Sequence, residues 1–309
     1  MKTTNRSVGM RWVACLPDAF RKAGQADWQS AAGWQPAPLA VLLIMAIAAF
    51  GQGGRGGAGR GPAAPANPKA AAPVDLTGYW VSLVTEDWRF RMVTPAKGDY
   101  ASVPLNAEGR KVADAWDPDK DVAGGNQCKA YGAAALMRVP GRVHIEWQDD
   151  NTLKVQTDAG TQTRVFHFGT AQPGGLLTSP APIPAQPELQ GYSVAIWEMA
   201  GGGRAGRGGP PGGAPAGPRG GSLKVVTTHL SPGYLRKNGV PYSGNTVLTE
   251  YYDRTNETDG ASYLIVTTIV EDPQYLGGPQ NPTGQFITST HFKKEPDGSK
   301  WNPSPCSAK

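Results

Sequence analysis

Val143-His144-Ile145-Glu146-Trp147, Asp149-Asp150-Asn151, Leu153-Lys154-Val155-Gln156, Asp158-Ala159-Gly160 and then Gln162 to Phe168 follow one another, and this stretch decides the fold. Apolar and polar residues alternate along each run, the period-two signature of a strand with one buried face. Asp, Asn and Gly stand where the chain must reverse, because they tolerate the backbone angles of tight turns. The stretch therefore predicts a meander of short antiparallel strands.

Working outward, the same pattern recurs. Tyr79–Val84 and Trp88–Val93 alternate; in the second, Trp88, Phe90 and Met92 share one face and Arg89 and Arg91 the other. Tyr192–Glu198, Ser222–Leu230, Thr246–Asp253, Ser262–Glu271 and Gln285–Phe292 continue the series. Roughly ten such strands with turn signals between them predict an all-β fold, a single antiparallel β-barrel or sandwich. One helix interrupts it: Leu105–Trp116 carries Val112, Ala113 and Trp116 on one stripe, with Asn106 as N-cap.

The 309-residue chain has two stretches that cannot pack, residues 1–73 and about 200–221, both dominated by Gly, Pro, Ala and Arg. Too few large apolar side chains offset the entropy of ordering them, so a disordered N-terminus and a disordered Gly-rich loop insert are expected. Residues 74–305 then form a single β-domain, with the insert as an enlarged loop between two strands. Residues 1–50 read as a leader, in which Leu39–Phe50 is a signal-peptide h-region too short to span a bilayer comfortably. Ala46-Ile47-Ala48 offers small residues for cleavage, and 51–73 becomes a flexible spacer. The expected address is the periplasm or beyond, with no stable membrane span after processing; the alternative is an uncleaved N-terminal anchor.

The charge of +5 belongs to these tails: residues 1–72 carry +6 and the insert +3, which leaves −4 on the folded part. A mildly acidic body argues against nucleic acid as a partner. Gly-x-Gly-x-x-Gly occurs at Gly51–Gly56 and Gly201–Gly206, but only inside low-complexity sequence, where it opens no helix. Phosphate-loop, HExxH, CxxC and Gly-x-Ser-x-Gly patterns are absent, and no cofactor is expected. Of three cysteines, Cys15 lies in the leader; Cys128 and Cys306 either pair in an oxidising compartment or stay as separate thiols.

Gly191-Tyr192-Ser193-Val194 with Trp197-Glu198, Asn238-Gly239-Val240-Pro241-Tyr242-Ser243, Thr249-Glu250-Tyr251-Tyr252-Asp253-Arg254 and Val270-Glu271-Asp272-Pro273 occur in that order. The set resembles a large family of exported bacterial all-β proteins to which no reaction is attached. The resemblance covers most of residues 74–305 and implies an antiparallel β-fold and an exported protein. Relatives are expected to carry His where this chain has Tyr242. The Gly78-x-Trp80 opening is similar to the first motif of lipocalins, where the Trp closes the barrel bottom; that likeness implies a barrel that holds a ligand.

Three functions fit this reading. The first is a binding protein whose partner is a small, partly apolar molecule, held in an aromatic cup lined by Trp80, Trp88 and Tyr252. Arg89, Glu250 or Arg254 would fix its polar end, although Glu250, Tyr252 and Arg254 on one strand face equally suit a cross-strand ladder. The second is a cofactor-independent hydrolase, lyase or isomerase. Asp272 or Glu271 would act as base there, with Tyr242 and His229 as acid or electrophile. An Asp before Pro also suits a plain strand-end turn. The third is a cell-envelope structural or interaction module with the Arg/Gly loop as its surface. His144, His167, His229 and His291 all fall in expected strands and could meet only if those strands point them inward.

Overall fold

The computed structural model describes residues 67–309 apart from 174, 200–219 and 280. The leader with its apolar run 39–50, residues 51–66 of the spacer and nearly all of the Gly-rich insert lie outside the described residues. Residues 67–73, expected to belong to the spacer, are docked on the domain. Pro68 O accepts the Trp197 indole N–H at 2.9 Å, and Lys69 N donates to Asp150 O at 3.2 Å.

In chain order the strands are β1 (Gly78–Leu83), β2 (Arg142–Asp149), β3 (Thr152–Thr157), β4 (Gln162–Phe168), β5 (Thr170–Ala171), β6 (Leu177–Thr178) and β7 (Tyr192–Met199). Then come β8 (Gly221–Thr228), β9 (Gly233–Arg236), β10 (Val240–Tyr242), β11 (Val247–Asn256), β12 (Ser262–Glu271) and β13 (Gln285–Glu295). Nine of them close a barrel in the order β1-β13-β12-β11-β8-β7-β4-β3-β2, while β5–β6 and β9–β10 are separate hairpins. The all-β barrel expected from the alternation is the fold. One junction departs from the expected antiparallel order. β4 and β7 run parallel, with Phe166 opposite Ser193 and Phe168 opposite Ala195. A parallel pair needs a crossover, and residues 169–191 with the β5–β6 hairpin supply it. The insert joins β7 to β8, which pair up to Met199 opposite Gly221.

Alternation places the inward residues in three tiers. Along β11 they are Leu248, Glu250 and Tyr252; along β12, Val270, Thr268, Val266 and Leu264; along β13, Phe286, Thr288, Thr290 and Phe292. A polar belt thus separates two apolar clusters. Around Trp80, the residues Ile145, Val155, Phe166, Ala195, Val225, Tyr252, Leu264 and Val266 are all 0% exposed, so no water-sized void borders them. The lumen is filled by its own side chains. Trp80 closes one end, its indole N–H donating to Leu76 O at 3.0 Å, with Lys294 Nζ 5.1 Å and Arg254 5.9 Å from its ring centroid.

The other end is covered by four short helices, α1 (Trp88–Arg91), α2 (Ala107–Asp114), α3 (Pro118–Ala123) and α4 (Ala133–Leu136), and by the β9–β10 hairpin. The expected helix 105–116 is α2, and Asn106 caps it by accepting from Gly109 N at 2.8 Å. The expected strand Trp88–Val93 is α1 instead. β2 begins at Arg142 opposite Val81, so a strand prolonged past Leu83 would lack a partner on that side. Asp87 takes a left-handed conformation (φ 47°), and a single helical turn follows. Cys128 and Cys306 form a disulfide, Sγ–Sγ 2.06 Å, across 178 residues of sequence, tying the C-terminal tail beside Tyr131. The chain-entropy model puts such a closure at about 5 kcal/mol.

Candidate functional site

The residues expected to catalyse do not converge. Asp272 does bring two of the quoted motifs together, but as a turn organiser. Its Oδ1 accepts from Ser243 Oγ (2.9 Å), Gln274 N (2.9 Å) and Tyr275 N (3.3 Å). Its Oδ2 accepts from Ser243 N (2.5 Å) and Thr246 Oγ1 (3.1 Å). Five donors saturate the roughly four lone pairs of a carboxylate, leaving none aimed at a substrate. Glu271 turns to the other face, where Gln285 Nε2 donates to it at 2.8 Å. The Tyr242 hydroxyl is buried, without a partner among the described residues, against Gly132 and Gly233, where an added Cβ would lie 2.0 and 2.5 Å from it. Burial holds the Tyr242 phenol well above its ordinary range. His229 is exposed, in a left-handed conformation, against Thr228 Oγ1 at 2.9 Å.

The aromatic cup does not form either. Trp80 and Tyr252 are packed inside the barrel, whereas Trp88 stands outside, 65% exposed. Arg89 pairs with Asp99 on the surface, and Arg254 donates to Asp75 O at 2.7 Å beside the Trp80 end. Glu250 sits in the polar belt, in a two-pronged pair with Arg164: Nη2–Oε2 2.6 Å and Nη1–Oε1 3.0 Å, both side chains fully buried. Thr227 Oγ1 accepts from Arg164 Nη2 at 3.2 Å, and Tyr252 Oη donates to Glu250 at 3.3 Å. Burial works against the Arg164 charge, but Glu250 outweighs it and raises the guanidinium further. Among the described residues no three His, Cys, Asp or Glu side chains gather as a metal group. The histidines find separate neighbours, His144 stacking on Tyr79 and His167 on Tyr192.

A different set of residues does converge, at the helix-covered end. A cleft of about 490 Å³ lies between α1, α4, β9 and the C-terminal tail. Among the described residues four cationic ones line it, Arg91, Arg138, Arg236 and Lys237, and no acidic one. The three arginines are 8%, 6% and 4% exposed, which is rare for charged groups without full pairing. Arg91 Nη1 pairs with Glu86, and Arg91 Nε donates to Arg138 O at 2.9 Å. Arg138 Nη2 pairs with Asp87 at 3.1 Å. Among the described residues Arg236 has no carboxylate partner; its Nη1 donates to Ala101 O at 2.7 Å. Its guanidinium carbon lies 4.1 Å from the Phe90 centroid and 6.0 Å from that of Phe286. Among the described residues Arg91 Nη2, Arg138 Nη1, and Arg236 Nε and Nη2 have no acceptor. Burial first, and Arg138 next, lower the Arg236 guanidinium to about 10. That is the mark of a buried cation short of counter-charge.

The local sequence explains the geometry. α1 folds inside out: Arg91 points in while Trp88 (65%), Met92 (60%) and Val93 (67%) face solvent. Arg138 interrupts the otherwise apolar run Ala133–Pro140, so burying α4 takes its charge along. The tail closes one side through Ser304, Pro305 and Ser307, held by Ser304 N to Asp158 O (2.9 Å), Ser307 N to Tyr131 Oη (3.2 Å) and the disulfide. Sequence reasoning passed over these arginines, although a lone Arg within an apolar run was a visible signal at Arg138. Comparison with protein-family models, with curated proteins and with solved structures gives no match.

Proposed function

We propose that this is an exported binding protein that holds a small anionic molecule in the arginine cleft, outside the barrel lumen. The observation that carries the reading is a set of four lining cations without an acidic neighbour in the lining, three of them buried and four of their nitrogens without acceptors. A carboxylate or phosphate in the cleft brings counter-charge to these arginines in a partly dry site, where charge-assisted interactions are strong. The volume falls within the roughly 300–1,000 Å³ of small-molecule sites. Export is supported by the apolar run 39–50 and by a disulfide, which persists in oxidising compartments.

The test is calorimetric titration of the full-length protein with inorganic phosphate, sulfate and benzoate, against the same anions on Arg236→Met. Binding by wild type and a loss of about tenfold or more in the variant is expected, since one charge-assisted contact is worth about 1.5–3 kcal/mol. A bound anion at about a hundredfold over its Kd should add roughly 2.7 kcal/mol of stability, readable as a rise in Tm. No binding of any anion, or equal binding by Arg236→Met, would sink the proposal.

A further inference from the structure

We infer that the ligand of the cleft is an amphiphile, a single anionic head carrying an apolar tail, with the tail lying over α1. This deepens the reading above and rests on the cleft being an anion site. Eight large hydrophobic residues are exposed among the described residues, and three of them, Trp88, Met92 and Val93, fall on the one short segment that supplies Arg91 to the cleft. Met92 and Val93 border the cleft themselves, together with Phe90. Polar and apolar side chains of that segment are thus the wrong way round for water: the cation is inside and the large apolar groups are outside. An anion alone corrects the first half of this inversion, and a tail on the anion corrects both. The cation-lined interior beside an apolar rim fixes the direction, head toward Arg236 and tail toward Met92 and Val93. The ring of Phe90, which borders the cleft and lies against Arg236, gives the head an apolar collar.

The experiment is calorimetric titration of the full-length protein with acetate, hexanoate, octanoate and decanoate below their micellar concentrations. Hexyl and octyl phosphate form a second head-group arm, and octanol and octylamine serve as controls. Affinity is expected to climb about two- to fourfold per added methylene, the yield of partial to full burial of each, and then to level off. Trp88→Ser, a change at an exposed position outside the cleft lining, should leave acetate and inorganic phosphate binding unchanged while flattening the climb. If acetate and decanoate bind alike, the amphiphile falls and the anion site stands. If octanol binds as well as octanoate, the assignment of the head falls. If no anion binds, both readings fall together. If the protein ignores every monomeric amphiphile but sediments with vesicles of phosphatidylglycerol, the surface meets a membrane and the inference is wrong. Preference between the carboxylate and phosphate arms names the head.

Discussion

Replacing Arg164 by Met tests whether the barrel interior is as dry as its packing implies. The guanidinium grips Glu250 with two hydrogen bonds of 2.6 and 3.0 Å, and neither side chain has any exposed surface. Met fills much of the vacated volume but leaves the carboxylate with Tyr252 Oη as its remaining partner. Orphaning one member of a buried pair costs about 3–5 kcal/mol. For a domain of this size 1 kcal/mol moves Tm by about 2–4 °C, so the variant should melt roughly 6–20 °C below wild type. The double variant Arg164→Met/Glu250→Leu removes both charges together. It leaves the Tyr252 hydroxyl short of a partner while Thr227 Oγ1 keeps Ser193 Oγ at 2.8 Å, and should return to within about 2 kcal/mol of wild type. Urea unfolding of wild type, both single variants and the double variant at pH 7 closes the cycle, with an expected coupling of about 4 kcal/mol or more. A single variant within about 1 kcal/mol of wild type would refute the reasoning, because only water reaching Glu250 could make its isolation that cheap.

Asp272→Ala strands the donors on Ser243, Thr246, Gln274 and Tyr275. It should cost about 2–4 kcal/mol in urea unfolding while leaving anion titration unchanged. Tyr242→Phe deletes a buried hydroxyl that has no partner. Chemical denaturation should show no loss, or a gain of up to about 1 kcal/mol; a loss of 2 kcal/mol or more would mean the hydroxyl bonds something in solution. The Arg236 guanidinium is lowered to about 10 in the fold, well below the free side chain. The penalty for burying its charge is therefore fully present below about pH 10 and is relieved as pH rises above it. Wild type should gain Tm relative to Arg236→Met between pH 9 and 11, while anion affinity falls over the same interval; a difference flat with pH would contradict the depressed guanidinium.

The barrel was legible because its strands keep a strict period of two. Gln162–Phe168 and Ser262–Glu271 begin and end where the alternation says. Glu250 and Tyr252 were placed on one face, and the structure turns that face inward. What alternation could not show is what meets that face. Gln162, Arg164, Phe166 and Phe168 share it on β4, but only the closed sheet sets Arg164 against Glu250, 86 residues away. The same limit hid the cleft, whose cations come from three separate segments and whose wall is the C-terminal tail. Trp88–Val93 misled for a local reason: its alternation is real, but a strand also needs neighbours, and β2 starts only at Arg142, opposite Val81, too late to provide one. The parallel β4–β7 junction was hidden because strand direction follows from the path of residues 169–191, which has no periodic signature.

Arg164 and Arg236 together argue for where function lies. Both are almost wholly buried, at 1% and 4% exposure, and both sit near aromatic rings. Arg164 has its counter-charge inside the fold: a carboxylate, a threonine and a tyrosine surround it, and its protonated state is reinforced. Arg236 has a single backbone carbonyl, a neighbouring arginine and a depressed guanidinium. Folding alone explains the first, since each charge of the pair is met by the other inside the barrel. It does not explain the second, because Leu or Met at 236 would fill the same space without desolvating a charge. A buried cation that the protein leaves short of acceptors, at the edge of an open cleft, is destabilising in isolation and becomes favourable when something outside the chain completes it. That asymmetry separates the lumen, which closes on itself, from the cleft, where we propose that an anion binds.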